Sequence, residues 1–350
     1  MRVEIRFSSK RFLLTLMLCA CSVILLQNDD LSQSTSFSFQ ILCMCAGLAL
    51  CFLCYLPPVM LLKKGEDVFS VLRRGKKPLH CAVTGFYCIC FLFTAEYFLL
   101  PYTDMFTQKY YPDASPCLIA LVLLLCCVYA AYKGANVITR FGIFLFVLAM
   151  ATNVLMFGGS LSSLQIEAEA FLPSGSAGDF FQDTSYFFTP CFTAVLFACF
   201  SGYTRNFRLR QPIIALAFTG LKYALVLFFI TFAVGQYALR QEYQTFVLSR
   251  VAHFGSFSGV ESFYMALSTM SVFMITSLLL CAAGKAVNRN GDLKTIALFA
   301  AALFVLQWIT SNNTSLKEIL TNPLWLNVLS VAASVIIPSA CLIVGRKHNA

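Results

Sequence analysis

Charge is what this chain has least of: 12% of its 350 residues are Asp, Glu, Lys or Arg, where an ordinary soluble domain carries about a quarter. With 59% hydrophobic residues, there is too little polar sequence to cover the surface of one or two water-soluble domains. Histidine is scarce as well: the chain has three, all near the ends of apolar runs. The cysteine pairs Cys19/Cys21, Cys43/Cys45 and Cys88/Cys90 have C-x-C rather than C-x-x-C spacing and lie inside those runs, which argues against a zinc centre. The sixteen cysteines are read as small apolar side chains rather than as a disulfide framework. The sequence shows no nucleophile, base and orienter set and no phosphate-binding glycine loop. Neither an enzyme nor a cofactor or metal is expected.

Present instead are long apolar runs, at about 12–27, 40–62, 80–102, 116–132, 141–158, 185–204, 212–239, 258–283, 294–310 and 324–345. Most are long enough for the roughly 20 residues that a bilayer asks of a spanning helix. The fold class expected is an all-α polytopic membrane protein with ten transmembrane helices, forming a single transmembrane domain over 1–350. The first run is the shortest, and a basic leader before an apolar run also describes a signal peptide. Its Leu18-Cys19-Ala20-Cys21 resembles a lipoprotein cleavage box, but the run continues to Leu26 with no A-x-A site after it. An uncleaved helix is expected.

The net charge of +9 marks topology rather than a nucleic-acid surface, because the basic residues sit in short loops between the runs. Under the ten-helix reading, 20 of the 25 Lys and Arg fall on the side that holds both termini and 4 on the other, with Lys222 left inside a helix. Cytoplasmic loops carry the excess, so both termini are expected in the cytoplasm. Of the two longer outer segments, 159–184 reads as a solvated loop. Residues 240–257 place Tyr243, Phe246, Val247, Val251 and Phe254 at near-helical spacing and are expected to form a short amphipathic helix on the outer surface. Ten helices divide into two sets of five that enter from opposite sides, so helices 1–5 (about 12–158) and 6–10 (about 185–345) are expected as a 5+5 inverted repeat, a plan used by secondary transporters.

Two stretches carry a family resemblance. Tyr132-Lys133-Gly134-Ala135-Asn136-Val137-Ile138-Thr139-Arg140-Phe141, between helices 4 and 5, is similar to the corresponding turn of the spore germination receptor B-subunit family. Tyr243-Gln244-Thr245-Phe246-Val247-Leu248-Ser249-Arg250-Val251, with Phe257, Glu261 and the apolar helix to Leu280, resembles that family's segment from the outer loop into helix 8. Length, helix count and motif spacing agree, so the resemblance extends over nearly the whole chain. It implies the LeuT-like fold of the amino acid, polyamine and organocation transporter superfamily. Residence in a bacterial inner membrane, that of the spore, is implied too. The implied partners are a small amino-acid-like nutrient, an A-type membrane subunit and a C-type lipoprotein. The alternative reading is a proton-coupled amino acid permease, and a third is a membrane scaffold without a ligand.

In that fold, breaks in helices 1 and 6 expose backbone groups to the ligand. Phe197-Ala198-Cys199-Phe200-Ser201-Gly202-Tyr203 resembles the superfamily's aromatic and glycine-bearing break, with Pro190 one helical stretch earlier. Helix 1 departs from the family pattern: Phe12 to Gln27 contains neither Gly nor Pro, so it is expected to be less broken. The expected ligand-binding set is Phe197, Phe200 and Tyr203 as an apolar wall, with Ser201, Gly202 and, opposite them, Cys21 and Ser22. Glu96 and Lys222 are the ionisable groups at membrane depth, where such groups need a partner or a function. Glu96 is either a proton-accepting or amine-binding carboxylate, or one satisfied by a hydroxyl of a neighbouring helix. Lys222 either snorkels to the cytoplasmic face or, as the resemblance implies, stands in for a coupling cation. Thr152, Asn153, Ser268, Thr269, Ser271 and Thr276 read as helix-packing groups, and Arg250 with Glu261 as an outer ion pair.

Overall fold

The computed structural model describes residues 7–26, 35–63, 68–69, 71, 77–166, 168–205, 210–235, 237, 241, 243–253, 260–288 and 292–348. Phe254, Phe257, Arg240 and several loop Lys and Arg lie outside that set, as does the Ser201 side chain. The protein is built from helices α1 (Ser9–Leu26), α2 (Phe37–Lys63), α3 (Lys77–Lys109), α4 (Pro116–Lys133), α5 (Ala135–Ser160), α6 (Ala177–Phe188), α7 (Phe192–Phe200), α8 (Arg210–Phe229), α9 (Gln244–Val251), α10 (Val260–Val287), α11 (Leu293–Ser311), α12 (Thr314–Thr321), α13 (Pro323–Val331) and α14 (Ile337–His348). Among the described residues, nine helical spans are long and apolar enough to cross a membrane. The sixth expected segment is the exception, because it is interrupted.

Its interruption follows from Pro190. Proline lacks the amide hydrogen of a helical bond and its ring crowds the carbonyl four residues back, although Thr189 before it keeps helical dihedrals, φ −51° and ψ −34°. The chain accordingly passes from α6 through the tight 3-10 turn Thr189–Cys191 into α7. The departure expected over 197–203 begins at Ser201, Phe197 and Phe200 still belonging to a regular helix, and a further 3-10 turn lies earlier, at 189–191. Ser201–Tyr203, after the helix has ended, is itself a 3-10 turn. Helix α1, without Gly or Pro, runs unbroken.

Helices α1 and α10 form the centre: 78% of the residues in each one's apolar window are buried, against 28% for α11 and 33% for α2, α4 and α5. The peripheral helices turn Leu, Val, Ile and Trp outward, as lipid-facing surfaces do. Helix α1 is antiparallel to the sixth segment. The two-residue strand Phe7–Ser8 before α1 pairs with Thr204–Arg205 after α7, in register Phe7 with Thr204 and Ser8 with Arg205. First and sixth segments thus traverse the bundle in opposite senses, as an inverted repeat requires.

Candidate functional site

The site is assembled around the interruption. Breaking a helix in a membrane frees backbone groups that must find partners inside the protein, and neighbouring helices supply them. Asn327 of α13 donates its amide to the Ser185 carbonyl at 2.7 Å and to the Ser185 hydroxyl at 3.0 Å. The Cys51 thiol of α2 donates to the Phe188 carbonyl at 3.1 Å. Thr193 donates to the Pro190 carbonyl at 2.5 Å, and its hydroxyl also lies 2.7 Å from that of Tyr55 on α2. Gly47 of α2 is present because nothing larger fits: a Cβ there would stand 2.8 Å from the Phe187 carbonyl carbon and 2.9 Å from the Phe188 amide. On the far side, Phe192 packs on Phe98 of α3 with ring centroids 5.0 Å apart.

Helix α8 carries the polar side of the same level. Thr219 lies 3.9 Å from the Cys21 sulfur, and Tyr223 donates to the Ala20 carbonyl at 2.9 Å while its ring stands 5.9 Å from Phe187. Lys222, beside Tyr223 and one turn beyond Thr219, is 5% exposed. Its ammonium is within electrostatic reach of the Cys21 sulfur, and no acidic side chain pairs with it among the described residues. It does not snorkel. Lys222 stands twelve residues after Arg210, about 18 Å along the helix, deep in the bundle beside α1.

The expected ligand set is divided by the structure rather than gathered. Phe197 and Phe200 lie below the interruption, where Phe12 of α1 stacks against them at 6.4 and 6.2 Å and Tyr55 meets Phe197 at 5.8 Å. All four rings are at most 1% exposed. They close that half of the bundle as a packed aromatic layer. Tyr203 sits lower still, with the Lys285 ammonium 3.9 Å above its ring, a cation–π arrangement. Gly202 is exposed, so it lines no enclosed pocket. Residues 203–205 are level with Ser8, and Cys21, thirteen residues further along, lies about 20 Å away at 1.5 Å per residue. The Ser22 hydroxyl is occupied by its own helix, donating to the Leu18 carbonyl at 2.7 Å. Of the expected ligand set, only Cys21 reaches the level of the interruption, where it meets Lys222, the coupling candidate.

Glu96 lies elsewhere. It is two residues from Phe98, which is about 200° around a helix, so it faces away from the interruption. Thr310 of α11 donates to it at 2.8 Å, the neighbouring-hydroxyl reading of this residue. Since α3 continues to Lys109, Glu96 is thirteen residues, roughly 20 Å, from that end of the helix.

The far end of α1 is closed by the second family motif. Helix α9 does not lie on the surface; Thr245, Phe246, Val247, Leu248 and Ser249 are buried. Thr245 donates to the Ile24 carbonyl at 2.9 Å, and Tyr264 of α10 donates to the Leu25 carbonyl. These are orphan carbonyls of the last turn of α1, which need external donors. Arg250 and Glu261 pair at 3.2 Å, as the sequence implied.

The model of one family, described as spore germination protein, matches residues 4–319. The chain belongs to the spore germination protein family. No curated protein matches the germination protein. Among solved structures, the crystal structure of MhsT in complex with L-phenylalanine is similar at TM-score 0.56 and 13% identity, covering 98% of this chain and 99% of that one. At that identity the likeness is one of fold, and the fold is LeuT-like. Family and fold together make this a permease-like membrane protein of germination.

Sequence reasoning passed over Phe12, Tyr55 and Asn327. A lone amide inside the apolar α13 was the available signal for Asn327, because buried amides in membranes bond neighbouring helices. Phe12 and Tyr55 carried none, being two aromatics among many.

Proposed function

We propose that this protein is the membrane subunit of a nutrient-germinant receptor, and that it binds a small amino-acid-like nutrient at the interruption of the sixth segment, between α1, α2 and α8. The observation that carries the reading is Lys222, a buried ammonium at that level without an acidic partner among the described residues. A charge in such surroundings is costly unless an anion meets it, and the carboxylate of an amino acid is such an anion. MhsT, similar in fold along its whole length, has been crystallised with L-phenylalanine, which supports an amino acid as the ligand class. An A-type membrane subunit and a C-type lipoprotein are the partners that a receptor of this kind would signal through.

Spores carrying Lys222→Met test this reading. A charge-assisted hydrogen bond contributes about 1.5–3 kcal/mol, so the nutrient concentration for half-maximal germination is expected to rise roughly 10- to 100-fold. Lys222→Arg should recover part of the loss. An unchanged concentration dependence in Lys222→Met, at equal protein level, would place the carboxylate elsewhere or remove the ligand altogether. The permease alternative is separated by flux: labelled nutrient accumulates in vesicles if the protein transports, and exchanges only at the surface if it senses.

A further inference from the structure

Between α3 and α11 lies a polar cluster unused by the nutrient site. Glu96, Thr103, Gln307 and Thr310 are each at most 1% exposed. Thr310 donates to Glu96 Oε1 at 2.8 Å, and the Gln307 amide donates to Thr103 at 3.0 Å. Thr103 passes its own hydrogen to the Leu100 carbonyl at 2.9 Å. Two buried acceptors then remain without a donor, Glu96 Oε2 and Gln307 Oε1.

An ionised carboxylate only accepts hydrogen bonds, whereas a protonated one also donates. No cation is placed to neutralise Glu96. On its own helix Asp104 is an acid, already bound to Lys317 of α12 at 2.6 Å. Glu318 on α12 is exposed. The charges of the other packed helices, Glu261 and Lys285 on α10, Lys133 on α4 and Lys294 on α11, occupy end turns, and α13 carries none. Apart from hydrogen bonding, nothing in this layer stabilises a negative charge, and one hydroxyl falls short of what a buried carboxylate needs.

We propose that Glu96, Gln307, Thr310 and Thr103 form a proton-binding site within the membrane, in which the neutral Glu96 carboxyl fastens α3 to α11. Its O–H is the donor the cluster lacks, and Gln307 Oε1 is the acceptor left open. Loss of the proton leaves both acceptors, Glu96 Oε2 and Gln307 Oε1, buried without a donor. The site is on the reverse face of the helix that carries Phe98 against the interruption, and it stands independently of the nutrient reading.

Infrared spectroscopy of the purified full-length protein at neutral pH tests it directly. The difference between wild type and Glu96→Gln is expected to contain a carboxylic-acid carbonyl band sensitive to deuterium exchange. In Gln307→Leu that band should move to the higher frequency of an acid with a weaker hydrogen bond. Carboxylate bands in place of the acid band would overturn the proposal, as would an acid band that Gln307→Leu leaves in place. Should Glu96→Gln fail to accumulate, the Gln307→Leu comparison with wild type decides alone, since its shift exists only if the proton is shared.

Discussion

At the level of single residues, two glycines separate backbone demand from steric demand. Gly134, the one-residue corner between α4 and α5, has φ of +96° and ψ of 165°, and a Cβ there would meet nothing within 4 Å. Gly134→Ala therefore costs backbone strain alone, about 1–3 kcal/mol, and thermal unfolding in detergent should show the loss with the fold retained. Gly47 is the reverse case, lying in regular helix against the backbone of the sixth segment. Gly47→Ala is expected to displace Phe187 and Phe188 and shift the nutrient response, whereas the open Gly85 in α3 should accept alanine without effect on response. Equal responses in the two variants would show that the sixth segment does not sense its contact with α2. Residue types were legible in the sequence at such points, but their partners were not. The ring of Phe12 meets Phe197 across 185 positions of chain, and no local pattern encodes that.

Among the elements, helix existence was readable, and of the two departures from α-helix in the sixth segment the one at 201–203 was read and the one at 189–191 was not. Apolar runs of spanning length define the segments because the bilayer imposes a length. The position of the break depends on which residue denies the helix a hydrogen bond, and Pro190 does so more strongly than Gly202, which costs only about 1 kcal/mol of propensity. Helix α9 was legible by its spacing but misplaced at the surface, since an amphipathic stripe does not say whether its apolar face meets lipid or the end of another helix. Its docking on α1 has a testable energy. Thr245→Val removes the donor to the Ile24 carbonyl, and leaving a buried acceptor unpaired costs about 1–3 kcal/mol. Hydrogen exchange at the last turn of α1 should accelerate correspondingly, while α4 and α5, which do not touch α9 through this bond, stay protected. Uniform acceleration over all helices would mean that Thr245 holds the whole bundle rather than this end.

For the whole molecule, we propose a sense of insertion from charge. The 20 to 4 division of Lys and Arg supports placing the N-terminal end of α1, Tyr203 and Lys285 on the cytoplasmic side, and the capping-box turn Ser176–Asp179 at the start of α6 outside. A cysteine introduced at Gly175, in a cysteine-free background, should react with a membrane-impermeant reagent from outside in intact cells, and one at Lys133 only after permeabilisation. The reverse pattern would invert the protein and turn the aromatic layer of Phe12, Phe197 and Phe200 into an outer closure. In the proposed orientation that layer lies in the cytoplasmic half, α9 covers the outer end of α1, and the interruption with Lys222 lies between them.

The account rests most on a ligand at that enclosed level, and direct binding is its sharpest test. Purified protein in nanodiscs, titrated with a panel of labelled amino acids, is expected to bind at least one of them in the wild type. Binding should weaken at least about tenfold in Lys222→Met and remain unchanged in Glu96→Gln, whose side chain faces the other way. Wild-type binding that Lys222→Met leaves intact, or that Glu96→Gln abolishes instead, would contradict the account.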